Sequence, residues 1–300
     1  MSLPAAPFGR VLTAMVTPFA ADGSLDLAAA AAVAGHLADH GHDGVVVSGT
    51  TGESPTTTVA EDGELLRAVV DAVGDRVKVV AGVGTNSTAH SLELTEQAGK
   101  LGADAVMVVT PYYSKPSPGG VLEHFRAVAN ATELPVLLYD VPGRTGLRIA
   151  WETYQRASEI DNVVAVKEAV GDVAQGVRLM QDLGYALYSG DDVANLTWLA
   201  HGACGVISVV GHVAGEQHRT LVEAVDAGDL ERARELYHGL LPAIDAIMGV
   251  ANYGGTTAKA ALQLAGVLDN RRVRLPLLEL DDTEVAALRA GLEKAGLISA

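Results

Sequence analysis

Eight short apolar runs recur along the chain: Leu12 to Val16, Gly44 to Ser48, Val77 to Val83, Ala105 to Thr110, Pro135 to Tyr139, Val163 to Lys167, Leu187 to Ser189 and Gly205 to Val209. They are rich in valine and lack polar alternation, the pattern of strands covered on both faces. Ala-, Leu- and Glu-rich segments lie between them, such as Leu27 to Asp39, Ala60 to Val73, Ala89 to Leu101 and Gly119 to Ala131. Eight strands alternating with helices predict an α/β fold, an eight-stranded parallel TIM barrel. The rival is an open doubly wound sheet, which usually has fewer strands and a glycine fingerprint in its first turn. Here the first run leads into Thr17-Pro18-Phe19 instead.

The strand signal stops near residue 225. Asp229 to Ile247 and Thr256 to Leu264 read as helices, and Asp281 to Glu284 resembles a capping box opening a last helix to Ala295. The predicted organisation is a barrel over 1–225 and a C-terminal helical extension over 226–300 packed on it.

Composition narrows the class. The chain has 300 residues, 49% of them hydrophobic, enough for a full core. A formal net charge of −16 argues against nucleic acid and anionic membranes as partners. An anionic substrate would therefore need locally placed positive groups. The single cysteine, Cys204, permits no intrachain disulfide, which suits a reducing cytosol, and its apolar surroundings predict a buried, inert thiol. No apolar run approaches the roughly 20 residues of a membrane span, and the N-terminus lacks signal-peptide regions. The expectation is a cytoplasmic protein.

Barrel enzymes carry their chemistry on the loops after the strands. Lys167 ends the sixth run, and none of the other five lysines ends such a run. Burial at a strand tip would lower its pKa and expose a nucleophilic amine; the alternative is a lysine reaching into solvent. The second run ends in Gly49-Thr50-Thr51-Gly52-Glu53-Ser54, two hydroxyls and free amides able to hold a carboxylate, or else a tight turn. The fourth ends in Thr110-Pro111-Tyr112-Tyr113, phenols for proton transfer or rim packing. The fifth ends in Tyr139-Asp140-Val141-Pro142-Gly143-Arg144, where the guanidinium suits an anion or a surface ion pair. Asp191 and Asp192 after the seventh run read as helix caps rather than metal ligands. His36, His40 and His42 read as a helix end facing solvent, and Gly82-Val83-Gly84 lacks a third glycine. No metal or organic cofactor is expected.

Together, Gly49 to Ser54, Val109 to Tyr113, Leu138 to Gly146, Val166-Lys167-Glu168-Ala169 and Ser189 to Asp192 resemble the dihydrodipicolinate synthase family of pyruvate-dependent class I aldolases, from Val11 almost to the C-terminus. The resemblance implies a lyase that condenses pyruvate with L-aspartate 4-semialdehyde in lysine and diaminopimelate biosynthesis. It implies a Schiff base on Lys167 and a pyruvate carboxylate held by Thr50 and Thr51. Tyr139, Thr51 and Tyr113 would form a proton relay, Tyr113 coming from a neighbouring subunit. Arg144 would bind the semialdehyde carboxylate, and Gly190 and the Ile207 backbone would line the pocket. The borrowed tyrosine requires a tight dimer at least, and the resemblance implies a homotetramer built from two such dimers.

Two departures stand out. Asp140 replaces an asparagine common in the family, a charge expected to tune or pair with Arg144. Asn86, Tyr112 and Ser54 match the family's lysine feedback pocket, but Val59, Asp62 and His90 stand where lysine-sensitive members carry two histidines and a glutamate. Weak inhibition by L-lysine is the expectation. The alternatives are a sister aldolase acting on N-acetylneuraminate or a 2-keto-3-deoxy sugar acid, and a non-catalytic ligand-sensing barrel.

Overall fold

A computed structural model describes residues 5–251 and 254–299. Its strands are β1 Val11–Ala14, β2 Gly44–Val47, β3 Lys78–Gly82, β4 Ala105–Val109, β5 Val136–Asp140, β6 Val163–Glu168, β7 Ala186–Ser189 and β8 Gly205–Ser208. All pair parallel in sequence order, and β8 returns to β1, so the sheet closes as a barrel. Closure leaves no edge strand to protect. At the seam β8 begins with Gly205, where a Cβ would lie 2.3 Å from the Arg10 carbonyl oxygen. Only a glycine lets the two backbones approach so closely there.

The helices are α1 Leu27–Asp39, α2 Val59–Val73, α3 Thr88–Lys100, α4 Pro118–Asn130, α5 Pro142–Thr145, α6 Trp151–Ala157, α7 Val173–Leu183, α8 Asn195–Ala200, α9 Gly211–Asp226, α10 Leu230–Met248, α11 Gly255–Leu264 and α12 Asp282–Lys294. Their starts follow local chemistry. Asp26, Ser87 and Ser117 cap α1, α3 and α4 by accepting from backbone amides, and Thr58 forms a reciprocal capping box with Glu61 at α2. Asp281 and Glu284 form the box expected at α12.

Each of the eight predicted runs overlaps an observed strand, with ends that differ by at most two residues. Strand β1 stops short of the predicted Val16 because the Val16 amide donates to His212 Nε2 rather than to a neighbouring strand. Cys204 is buried, its thiol pushed up to about 12 by burial.

Strand alternation separates an interior apolar core from those outside the sheet. Leu12, Val46, Val80, Met107, Leu137, Ala165 and Ile207 fill the barrel interior. Their neighbours Val45, Val79, Val106, Leu138 and Val166 face outward into the larger core beneath the helices. This parity decides the direction of every strand-end side chain. Tyr139 continues the inward series of Leu137, and Lys167 continues that of Ala165. Asp140 and Glu168 continue the outward series instead. No described helix is long and apolar enough to cross a membrane.

Candidate active site

Strands β5 and β6 pair with Tyr139 opposite Lys167. Both side chains enter the barrel mouth, and Lys167 Nζ stands 4.3 Å from the centroid of the Tyr139 ring. Lys167 is 4% exposed. Burial lowers its pKa from the usual lysine value to about 8, Asp192 opposes this by its negative charge, and Arg144 adds to it. A fall of that size disfavours the ammonium by about 3 kcal/mol, which leaves roughly one amine in ten neutral at pH 7. An exposed lysine would offer fewer than about one in a thousand.

Gly190 explains how the lysine stem fits. A Cβ at Gly190 would lie 2.8 Å from Lys167 Cγ and 2.8 Å from the Glu168 carbonyl oxygen. Any larger residue there would displace the side chain that carries the amine.

Lys167, Tyr139, Thr50, Thr51, Arg144 and Gly190 line one cavity of about 390 Å³. A second cavity of about 180 Å³ adjoins it across Thr50, Met107, Tyr139 and Arg144, and extends to Ser54, Tyr112 and Thr145. Thr51 is buried, and Arg144 is exposed on the one-turn helix α5. The arrangement joins a nucleophilic amine, a phenol, two hydroxyls and a guanidinium at one end of the barrel.

Two expected residues lie off this wall. Ile207 sits deeper, 1% exposed in the interior core, and Val209 takes the lining position beyond β8. Tyr113 is 88% exposed, with a left-handed φ of 71°. That backbone is unfavourable for a residue with a Cβ, and it carries the phenol outward. Residues Ile244, Asp245, Met248 and Gly249 of α10 and its end also line the cavity. Strand-end reasoning missed them because they come from a helix far along the chain. Met107 was legible only as an inward position of β4.

The acidic residues around the site hold different stations. Asp191 caps the turn after β7 by accepting from the Val193 amide, as expected. Asp192 does something else. It is 1% exposed and accepts from Ser208 Oγ, the Val209 and Val210 amides and Asn195 Nδ2. His218 Nε2 lies 3.3 Å from its Oδ1. Burial would raise this carboxyl, but His218 and the hydrogen bonds hold it at about 2. A carboxylate is thereby kept charged where its field reaches the lysine.

Chain order suggests Asp140 as a neighbour of Arg144, but the structure turns it the other way. Its outward parity carries it under α6, where Oδ2 accepts from the Ile149 amide at 3.1 Å and the Tyr154 hydroxyl at 3.0 Å. Burial pushes its pKa up to about 6. Glu168, opposite it in β6, is likewise raised by burial, and Asp140 adds to the shift. Among the described residues, Asp140 Oδ1 and Glu168 Oε2 have no hydrogen-bond partner.

At the feedback-pocket positions, Val59 opens α2, and the buried Asp62 accepts from Ser48 Oγ and Thr57 Oγ1. Of the expected histidines, His36 is half-buried against the His212 carbonyl, and His42 is buried against Thr13. The solvent-facing reading holds only for His40. Among the described residues no group of three or more His, Cys, Asp or Glu side chains is placed to hold a metal ion.

The model of the dihydrodipicolinate synthetase family matches residues 7–295. The chain is 56% identical to the 4-hydroxy-tetrahydrodipicolinate synthase of Kineococcus radiotolerans over 99% of this chain and 96% of that one. Among solved structures, dihydrodipicolinate synthase from Cyanidioschyzon merolae with lysine bound superposes with a TM-score of 0.94 at 41% identity, covering 98% of this chain and 100% of that one. The Acinetobacter baumannii enzyme, complexed with pyruvate, gives a TM-score of 0.92 at 36% identity, covering 98% and 100%.

The buried Asp140 makes a prediction. In the window from about pH 4 to pH 6 the folded protein keeps a proton that the unfolded chain releases, so this residue lowers stability as pH rises. At neutral pH the loss is on the order of 2–3 kcal/mol. Asp140→Asn supplies a donor without a charge and is expected to melt at a higher temperature than the parent at pH 7.5 but not at pH 4. Thermal denaturation at both pH values checks it, and an equal difference at both would contradict it.

Proposed function

The chain belongs to the dihydrodipicolinate synthetase family, and on that premise we propose that it condenses pyruvate with L-aspartate 4-semialdehyde through a Schiff base on Lys167. The product is 4-hydroxy-tetrahydrodipicolinate, and the enzyme is a lyase of lysine and diaminopimelate biosynthesis. The observation that carries the reading is the desolvated Lys167 amine, 4.3 Å from the Tyr139 ring inside a cavity that also holds Thr50, Thr51 and Arg144.

The chemistry is built from these groups. The neutral amine adds to the pyruvate ketone, and loss of water leaves an iminium. The iminium withdraws electrons from the methyl group, which loses a proton and becomes an enamine. Its carbon attacks the aldehyde, forming the carbon–carbon bond, and the aldehyde oxygen takes up a proton. The amine of the semialdehyde then attacks the iminium carbon, closes the ring and releases Lys167. Each proton movement needs a group that both donates and accepts, the role assigned to the Tyr139 phenol passing protons through Thr51. The iminium acts as the electron sink.

Thr50 and Thr51 take the pyruvate carboxylate, Gly190 gives the lysine stem its room, and Val209 rather than the deeper Ile207 lines the pocket beyond β8. Arg144, exposed at the mouth, takes the carboxylate of the second substrate. In a protein of net charge −16, the Arg144 guanidinium and the threonine hydroxyls are the local groups that can hold two substrate carboxylates at one end of the barrel. Tyr113 points away from its own cavity and is assigned to the relay of a second copy, which makes a homo-oligomer, a tight dimer within a tetramer, the working form. The cytoplasm is the assigned compartment.

Steady-state assays with pyruvate and either aspartate 4-semialdehyde or N-acetylmannosamine test the reading. Turnover is expected with the first pair, and Tyr139→Phe is expected to lower its kcat by about 10²–10³-fold. Greater turnover with the sugar would contradict it. L-Lysine is expected to inhibit only at about 1 mM or above, because a lost charged partner weakens binding about tenfold or more. Half-inhibition at lower concentration in the same assay would count against the altered pocket.

A further inference from the structure

Glu53 and Lys259 form an ion pair that the proposed chemistry does not use. Both are about 1% exposed, and Lys259 Nζ donates to Glu53 Oε1 at 2.5 Å. Neither lines the cavity that holds Lys167. Glu53 ends the loop that carries Thr50 and Thr51, and it holds a left-handed φ of 58°. Lys259 lies on α11, more than 200 residues along the chain.

The surroundings tie these two segments together at several points. Glu53 Oε2 accepts from the Arg274 amide at 2.9 Å, and Lys259 Nζ also donates to the Arg272 carbonyl at 2.7 Å. Lys259 Nζ and the Arg274 guanidinium both lie on the Phe19 ring, at 4.2 and 4.3 Å. Arg274 donates to the carbonyls of Gly23 and Thr56, so it ties the exit of this loop to the segment between β1 and α1. The start of α11 presses on the loop directly, since a Cβ at Gly255 would lie 2.7 Å from the Thr51 carbonyl oxygen. From the other side, Thr17 Oγ1 donates to the Gly52 carbonyl at 2.6 Å.

A buried ion pair is a poor source of net stability, because desolvating two charges offsets most of their attraction. It does fix direction, since away from water neither charge can leave the other without being left buried and uncompensated. Glu53 stands two residues after Thr51, in a backbone conformation that a side chain disfavours. Something must hold it there, and the pair with Lys259 supplies that hold.

We infer that the Glu53–Lys259 pair is a positioning device by which the C-terminal helices set the Thr50 and Thr51 hydroxyls for the carboxylate of the keto acid. The inference rests on the reading of that loop as the pyruvate carboxylate site. It makes Glu53 and Lys259 positioning residues, acting through the loop without touching substrate.

The test compares Glu53→Gln, Lys259→Met and the double variant in the intact enzyme. Pyruvate and aspartate 4-semialdehyde are each varied at saturating levels of the other, and thermal melting is recorded for every variant. Each single variant leaves one charge buried alone and is expected to melt lower. The double variant removes both charges and recovers stability. The pyruvate KM is expected to rise about tenfold in every folded variant, the double included, while the KM for the semialdehyde changes by less than about twofold. A double variant that melts near the parent with an unchanged pyruvate KM would overturn the inference. So would parallel changes in both KM values and kcat that track the melting temperature, the pattern of a purely structural role. Should the singles fail to fold, the double alone decides between these outcomes. An unmodified enzyme that never saturates with pyruvate would instead refute the functional reading, and the inference with it.

Discussion

An amine held out of water at the mouth of a closed barrel is the constraint on which the rest of this structure depends. Alternation along β6 turns Lys167 inward as surely as it turns Val166 outward. The interior is apolar below it, so the amine has little solvation to keep its proton. The neighbouring features answer to that fact. Gly190 leaves space for the stem, and the Tyr139 ring offers its face to the nitrogen. Asp192 counterbalances the loss of solvation and limits the shift. A lysine with no such counterweight would stay neutral but would give up a favourable interaction with the iminium that forms on it.

The same alternation places two further acids on the far side of the strands. Asp140 and Glu168 lie one residue beyond Tyr139 and Lys167 and point the opposite way. Both are buried, both are raised, and each leaves one oxygen without a partner among the described residues. Two adjacent acids of this kind resist ionising together. Their place against the helices keeps this frustration out of the cavity while leaving it close to the reacting strands.

Much of this was legible in the sequence, for a physical reason. Strands buried on both faces read as unbroken apolar runs, so all eight were visible in order, and barrel logic then placed the chemistry at the C-terminal end of each run. Lys167 and Tyr139 stood out as polar residues ending such runs. Other features were hidden because they depend on tertiary packing. The direction of Asp140 follows from parity, but its partners Tyr154 and Ile149 come from segments with no motif. The depth of Ile207 depends on where β8 stops. The wall contributed by Ile244 to Gly249 and the clamp of Lys259 on Glu53 join the C-terminal helices to early loops. No local spacing announces a contact across 206 residues.

The central claim is that Lys167, and no other amine, captures the keto acid. The direct measurement is intact-mass and peptide mapping after incubation with pyruvate and cyanoborohydride. One reduced pyruvyl adduct per chain is expected, located on Lys167 and lost in Lys167→Ala. No adduct, or an adduct on another lysine while Lys167 stays unmodified, would contradict the account.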